Sequence, residues 1–177
     1  RSRFKDLRIR ASIENIDMRG EFVRHGFNWN VFKDNVNFII SQGIHLDFNS
    51  TLSCLSIDGF TEFVQWYLTL ESSNTITISV NKVSHPNFQS MLVLPVELRQ
   101  HYAADLAKFD SAIEPRLYAQ IQSVIAMLQS DIRIFDAVPI KILQSSARNF
   151  YTEYARRRGL DIAKTFSPAL ADWLLSC

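Results

Sequence analysis

Leu7, Ile9, Ala11 and Ile13 alternate with Arg8, Arg10, Ser12 and Glu14, the period of two expected of a strand whose two faces differ. The strand is short and stops at Asn15, in a knot of polar groups: Ser12, Glu14 and Asn15. Residues 16 to 28 are rich in Asp, Arg, Gly and Asn and keep no apolar period. They read as an irregular loop, with one helical turn around Glu21 to Arg24, long enough to cover a ligand. Asn28 or Asn30 can then cap a helix in which Trp29, Phe32, Val36, Ile39 and Ile40 recur at helical spacing until Gly43 ends it. Ile44, Leu46, Phe48, Thr51 and Leu52 give a second strand, which a helical connection requires to lie parallel to the first.

The pattern then repeats. Ser56, Asp58 and Gly59 form a turn and cap, Phe60, Phe63, Val64, Tyr67 and Leu68 make the apolar stripe of another helix, and residues 75 to 83 form a β-branched strand. Strands near 7–14, 44–53 and 75–83, joined by helices, predict an α/β fold with parallel strands rather than a helical bundle. After Pro95 the pattern changes. Residues 96–177 carry no clear strand and three or four helices, near 97–108, 114–129, 139–157 and 167–175. The division expected is therefore β/α units over 1–95 and a helical C-terminal region over 96–177, packed on them.

Ligands of parallel α/β sheets bind beyond the carboxyl ends of the strands, so the polar knot at 12–15 is where function is sought first. Composition narrows the class. At 177 residues, 47% hydrophobic and 12% aromatic, the chain can bury a real core. Its 19 basic and 18 acidic residues are spread evenly and leave no footprint for nucleic acid. The densest basic run, Arg156 to Arg158, falls at a helix end, where cations are favoured anyway and are read as solvated. No apolar run approaches the roughly 20 residues of a membrane span, and no signal peptide is visible. Two cysteines, Cys54 and Cys177, form no disulfide framework and no metal spacing, so the expected compartment is reducing cytoplasm. The four histidines are scattered, which argues against zinc. No G-x-G-x-x-G, Walker loop or serine-hydrolase elbow occurs. Trp29, Trp66 and Trp173 sit on apolar helix faces and read as core. The chain opens with Arg and almost at once enters a strand, as a piece of something longer would.

Several motifs, in order, carry a resemblance: S-I-E-N at Ser12 to Asn15, E-F-V-R-H-G at Glu21 to Gly26, N-S-T-L-S at Asn49 to Ser53, E-F-V-Q-W at Glu62 to Trp66, and N-K-V-S-H-P-N-F at Asn81 to Phe88. The tail adds F-Y-T-E-Y-A-R-R-R-G from Phe150 and F-S-P-A-L-A-D-W from Phe166. Together they resemble the twitch-type radical S-adenosylmethionine (radical SAM) enzymes, of the kind common in phage and marine bacterial sequences. The resemblance spans nearly the whole chain. It implies a partial (β/α)6 TIM-like barrel, of which this chain would hold the C-terminal half, its fourth to sixth strands and closing helices. The departure is large: those enzymes hold a four-iron four-sulfur cluster through a C-x3-C-x2-C loop, and no such spacing exists here. The cluster would lie in a missing N-terminal half or on a partner chain, and the fragment would not be active alone.

The resemblance also assigns candidate cofactor contacts. Ser12 matches a polar strand-end position facing the ribose or amino-acid portion of S-adenosylmethionine; its alternative is an outward strand Ser near a turn. Glu14 could accept from a ribose hydroxyl or an ammonium, or be a solvated carboxylate. Arg24 matches the Arg that clamps the cofactor carboxylate, a task suited to a planar fork of donors; its alternative is a surface pair with Glu21. Asn49 and Ser53 flank the end of the second strand and His85 ends the third, facing adenine or substrate if functional and satisfying turns or a loop if not. No catalytic residue is named and no metal ligand is expected. The substrate class implied is a peptide or a small molecule. A non-catalytic binding or scaffold domain, or one half of a split enzyme, stays open beside this, as does a homodimer formed through strand edges. A half barrel is also expected to expose apolar strand faces, which is costly for an isolated domain.

Overall fold

The computed structural model describes residues 7–70, 76–130 and 138–176; Thr75, expected to open the third strand, and Cys177 lie outside them. Three strands, β1 (Arg8–Ser12), β2 (His45–Leu52) and β3 (Ile76–Lys82), form a parallel sheet in the order β1-β2-β3. Ile9 pairs with Leu46 and Leu46 with Ile76, so the three strands present their apolar residues to one side. Two helices cover that side: α2 (Trp29–Ser41), between β1 and β2, and α3 (Phe60–Leu70), between β2 and β3. The α/β reading with parallel strands therefore stands.

The aromatic content is spent in this layer. Phe48 of β2 is buried against Phe32, Trp66 and Tyr67, with ring centroids 5.7 to 6.1 Å apart, and Trp29 meets Trp66 edge-on at 4.8 Å. Such contacts add to the area term, which is worth about 1.5–3 kcal/mol for a fully buried large apolar side chain. Trp29 is buried, and Trp66 and Trp173 pack against the same core. That core is continuous from Ile13 to Leu174.

Sequence pattern misjudged two features here. Residues 16 to 28 are not a loop with a single turn but carry α1 (Asp17–Val23), with Gly20 and Phe22 buried. Its apolar period is hidden because Gly20 occupies an inward position: a Cβ there would lie 2.5 Å from the Asn15 carbonyl oxygen. The uncovered face of the sheet is also not apolar. Arg10, Asp47 and Thr77 lie side by side across the strands, as do Ser12, Asn49 and Ser79. Thr77 donates to Asp47 Oδ1, which His45 Nε2 also approaches at 3.1 Å. A polar face of this kind can meet water or a polar ligand without the cost an apolar one would carry.

Between the capping options for α2, Asn28 is the cap: its Oδ1 accepts from Val31 N–H at 2.9 Å, and Gly43, with φ of 60°, follows the helix end. The helical region holds α4 (Val96–Leu106), α5 (Pro115–Gln129), α6 (Ile140–Arg158), a short α7 (Ile162–Thr165) that the pattern did not indicate, and α8 (Pro168–Leu175). Two single 3-10 turns, Asn87–Gln89 and Met91–Val93, lead into it from β3.

The two sheet edges differ. Helix α5 lies along β3, where the Gln120 amide accepts the Val80 N–H at 2.5 Å and donates to the Ile78 carbonyl at 3.2 Å. A side chain thus supplies the hydrogen bonds a fourth strand would make, and blunts that edge against further pairing. β1 forms the opposite edge of the three-stranded sheet.

Candidate functional site

Beyond the carboxyl ends of all three strands lies a cleft of about 270 Å³. Glu14 after β1, Thr51, Ser53, Leu55 and Ser56 at the end of β2, and Val83 after β3 line it from the sheet side. Phe150, Tyr151 and Tyr154 of α6 line it too, with Val23 of α1 and Gln89. This is the placement expected of a ligand site in a parallel α/β sheet.

Arg24 follows α1 and donates from Nε to Glu14 Oε2 at 3.0 Å and from Nη2 to Oε1 at 2.6 Å. The side chain of Glu14 is 18% exposed and that of Arg24 40%, so the pair sits where cleft meets solvent. The hydrogen bonds to Glu14 raise the Arg24 pKa above its ordinary value, which holds the guanidinium charged. The expected alternative partner, Glu21, is engaged elsewhere, its Oε1 accepting from Trp29 N–H at 3.0 Å. Two-pronged geometry sets this pair apart from a loose surface ion pair.

Asn15, beside them, is fully buried and structural: its Nδ2 donates to the carbonyls of Ser56 and Asp58 at 3.2 and 2.5 Å. Asp58 is itself a junction. Its carboxylate accepts from Arg19 Nε at 2.8 Å, the Tyr102 hydroxyl at 2.9 Å and Ser167 N–H at 3.1 Å, drawing α1, α4 and the start of α8 together. Gly59, at φ of 84°, has Arg19 Cδ 2.6 Å from where a Cβ would stand, so only glycine lets the arginine cross to Asp58.

Of the residues singled out from sequence, Glu14 and Ser53 line the cleft, and Arg24 is bonded to Glu14. The Ser53 hydroxyl also serves its turn, accepting from Leu55 and Ser56 N–H at 3.2 and 3.1 Å. Ser12 and Asn49 pair in register on the open polar face, where Asn49 Oδ1 accepts from Asn81 Nδ2 at 2.8 Å. They belong to the open face and do not line the cleft. His85 is exposed in the loop before Pro86, 3.4 Å from Ser84 Oγ, and does not line the cleft either.

The aromatic side of the cleft was not anticipated. Tyr154 donates to the Phe22 carbonyl at 2.9 Å, across 132 residues. Arg158 donates to the same carbonyl at 3.3 Å and to the Tyr154 hydroxyl, with its guanidinium 4.7 Å from the Tyr154 ring centroid. Arg156 and Arg157 are exposed and bonded to Glu153, as a solvated helix end should be, but Arg158 fastens α6 to the end of α1. The signal available in sequence was the spacing of Phe150, Tyr151 and Tyr154 on one helix, without anything to say what they face.

Tyr151 is buried against Ser53 and Cys54, and burial holds its hydroxyl protonated well above the usual range. Burial likewise pushes the Cys54 thiol up to about 12. A fully buried, protonated thiol standing alone does not fit an iron–sulfur cluster, whose ligands are several thiolates. Among the described residues no group of three His, Cys, Asp or Glu could hold a metal ion, and no helix is long and apolar enough to cross a membrane. Comparison of the chain with protein-family models, curated proteins and solved structures gives no match.

Proposed function

We propose that the chain contributes part of the S-adenosylmethionine and substrate site of a radical enzyme, as the C-terminal half of a partial barrel, with the iron–sulfur cluster carried on a preceding half or on a partner chain. The observation that carries this reading is the cleft beyond the carboxyl ends of all three strands, with the Glu14–Arg24 pair bonded at its side. An amino acid carries one group for each member of that pair. Its carboxylate matches the Arg24 fork and its ammonium matches Glu14, so a ligand can exchange into a pair that is already formed without leaving a charge uncompensated. The polar sheet face, from Arg10 and Ser12 to Thr77 and Ser79, suits the inner wall of a barrel that holds a polar peptide or small-molecule substrate. The unequal edges agree with it, since β3 is closed by Gln120 and β1 is the edge on which preceding strands, or a second copy, would pair.

A second reading, a non-catalytic binding or scaffold domain, is favoured by one fact: Glu14 and Arg24 satisfy each other through both oxygens of the carboxylate. Calorimetric titration with S-adenosylmethionine separates the two. Saturable binding that weakens about tenfold or more in Arg24→Ala supports the cofactor site, the loss expected for one charge-assisted bidentate contact. Absence of binding, alone and with the cluster-bearing half added, supports the scaffold.

A further inference from the structure

Arg10 and Arg116 are held differently from the other arginines that organise the fold. Arg19 is fastened by Asp58, Arg24 by Glu14, Arg99 by the carbonyls of Leu128 and Ser130, and Arg157 by Glu153. Arg10 and Arg116 are exposed, and among the described residues neither forms an ion pair. Both serve the open face of the sheet. Arg10 stands on it beside Asp47, and Arg116 reaches it from the first turn of α5, its Nη2 3.4 Å from Ser79 Oγ. The carboxylate nearest to Arg116 in sequence, Glu114, is spent on the helix start, accepting from the Arg116 and Leu117 N–H groups at 2.8 and 2.7 Å.

Between the two arginines runs the row Ser12, Asn49 and Ser79. Asn49 Oδ1 takes the Asn81 amide, which leaves its Nδ2 as a donor, and the Ser12 hydroxyl has no partner among the described residues. With strands roughly 4.8 Å apart, the row is roughly 9.6 Å long. Its charge is one-sided. Strand alternation puts Arg8 on the same face as Arg10, while the carboxylate there, Asp47, is already engaged by Thr77 and His45, and Glu14 farther along is neutralised by Arg24. Arg8, Arg10 and Arg116 against Asp47 leave a surplus of two positive charges. A second copy would bring the same surplus and be repelled. Two phosphate groups would bring roughly three to four negative charges and overshoot. An extended peptide with carboxylates on alternate residues brings two, on one side and roughly 6.7 Å apart, with backbone groups for the hydroxyl and amide row.

We propose that the open face of the sheet binds an acidic peptide laid across the strands, one carboxylate taken by Arg10 beside Ser12 and the other by Arg116 beside Ser79. The assignment rests on the reading of this face as a substrate wall and adds to it the charge of the substrate. Guanidinium forks suit carboxylates, and both arginines keep theirs uncommitted to any acid of the fold. The contacts are exposed, so each is worth about threefold in affinity and the two together about tenfold.

The test uses the full chain with the peptide acetyl-Gly-Glu-Ser-Glu-Gly-amide, its counterpart with glutamine in place of both glutamates, and inorganic phosphate, followed through the arginine side-chain N–H resonances in NMR. The acidic peptide should shift the Arg10 and Arg116 signals saturably and bind about tenfold more tightly than the neutral one. That preference should fade as salt rises from about 0.01 M to about 0.15 M and the Debye length falls from about 30 to about 8 Å. Arg10→Gln and Arg116→Gln should each lower the affinity about threefold. Arg157→Gln removes the same charge away from this face and should leave it unchanged. Should Arg10→Gln fail to fold, Arg116→Gln still decides, since the one bond its guanidinium makes is the long one to Ser79. Equal binding of the two peptides, equal losses in all three variants, or the same saturable shifts with phosphate alone overturns the acidic peptide. Titration with S-adenosylmethionine in parallel separates the two claims: a peptide preference without cofactor binding keeps this surface and removes the cofactor site, and cofactor binding without a peptide preference does the reverse.

Discussion

Gln120 pairs with Val80 as a neighbouring strand would, its Oε1 on the Val80 N–H at 2.5 Å while its Nε2 reaches the Ile78 carbonyl at 3.2 Å. The same helix sends Arg116 Nη2 toward Ser79 Oγ at 3.4 Å and takes the Lys82 ammonium on Ser123 Oγ at 2.6 Å. Helix α5 thus meets β3 through polar contacts on three consecutive turns. Open sheet edges template association, and this one is shielded by a single amide at its centre. Gln120→Ala should lower unfolding free energy by about 1–2 kcal/mol in urea titration, the worth of two net hydrogen bonds. The variant should also elute earlier than wild type in size-exclusion chromatography at high concentration. An unchanged elution volume would mean that α5 itself, not the amide, protects the edge.

Asp58 should be the most sensitive polar position in the fold. It is 1% exposed and its carboxylate accepts from Arg19, Tyr102 and Ser167. Asp58→Ala leaves a buried tyrosine hydroxyl and a partly buried guanidinium without their acceptor, and is expected to cost about 3–5 kcal/mol. Tyr102→Phe removes one donor of three and should cost only about 1 kcal/mol. The ordering of the two variants in equilibrium unfolding is the check. Equal losses would place the weight on Tyr102 rather than on the junction.

The three strands and most helices were legible because each carries its own local period. Leu46, Phe48 and Leu52 alternate with His45, Asp47 and Thr51, and burial follows that alternation residue by residue. What escaped was set by contacts distant in sequence. Helix α1 was hidden by Gly20, whose small size answers to the Asn15 carbonyl rather than to any helical preference. For Arg24 the protein partner that sequence offered, as the alternative to a cofactor contact, was Glu21 three residues away, whereas the fold supplies Glu14 from the strand end. Tyr151 and Tyr154 could not be placed at all, because their cleft neighbours Ser53 and Val23 belong to the first third of the chain.

Cys54 should behave as an inert core residue. It is fully buried, its thiol is held near 12, and its Sγ points to the Phe88 carbonyl at 3.8 Å. Only the thiolate reacts with iodoacetamide, so the native chain at pH 8 should leave Cys54 unmodified over hours while the urea-unfolded chain labels within minutes. Peptide mapping by mass spectrometry distinguishes it from Cys177. Rapid native labelling at Cys54 would mean that the contact with Tyr151 opens readily and that the cleft floor is less closed than its geometry implies.

The open face of the sheet should reveal itself at low pH. Asp47 has its pKa depressed below the ordinary 3.8, first by the Thr77 hydroxyl donating to it, then by His45 and Arg10. A carboxylate with a lower pKa folded than unfolded stabilises the fold above the unfolded value, and that contribution is lost as pH falls through the folded one. Thr77→Val keeps the shape of the side chain and removes the donor. The stability difference between wild type and Thr77→Val should therefore be full at pH 6 and should shrink as the pH falls below the ordinary 3.8 and through the depressed folded value, as Asp47 becomes protonated in both states. Urea unfolding at pH 6, 4, 3 and 2 measures it. A difference that stays constant across that range would mean that the hydroxyl matters through packing on β3, and that the row from Arg10 to Thr77 carries no charge-dependent stability.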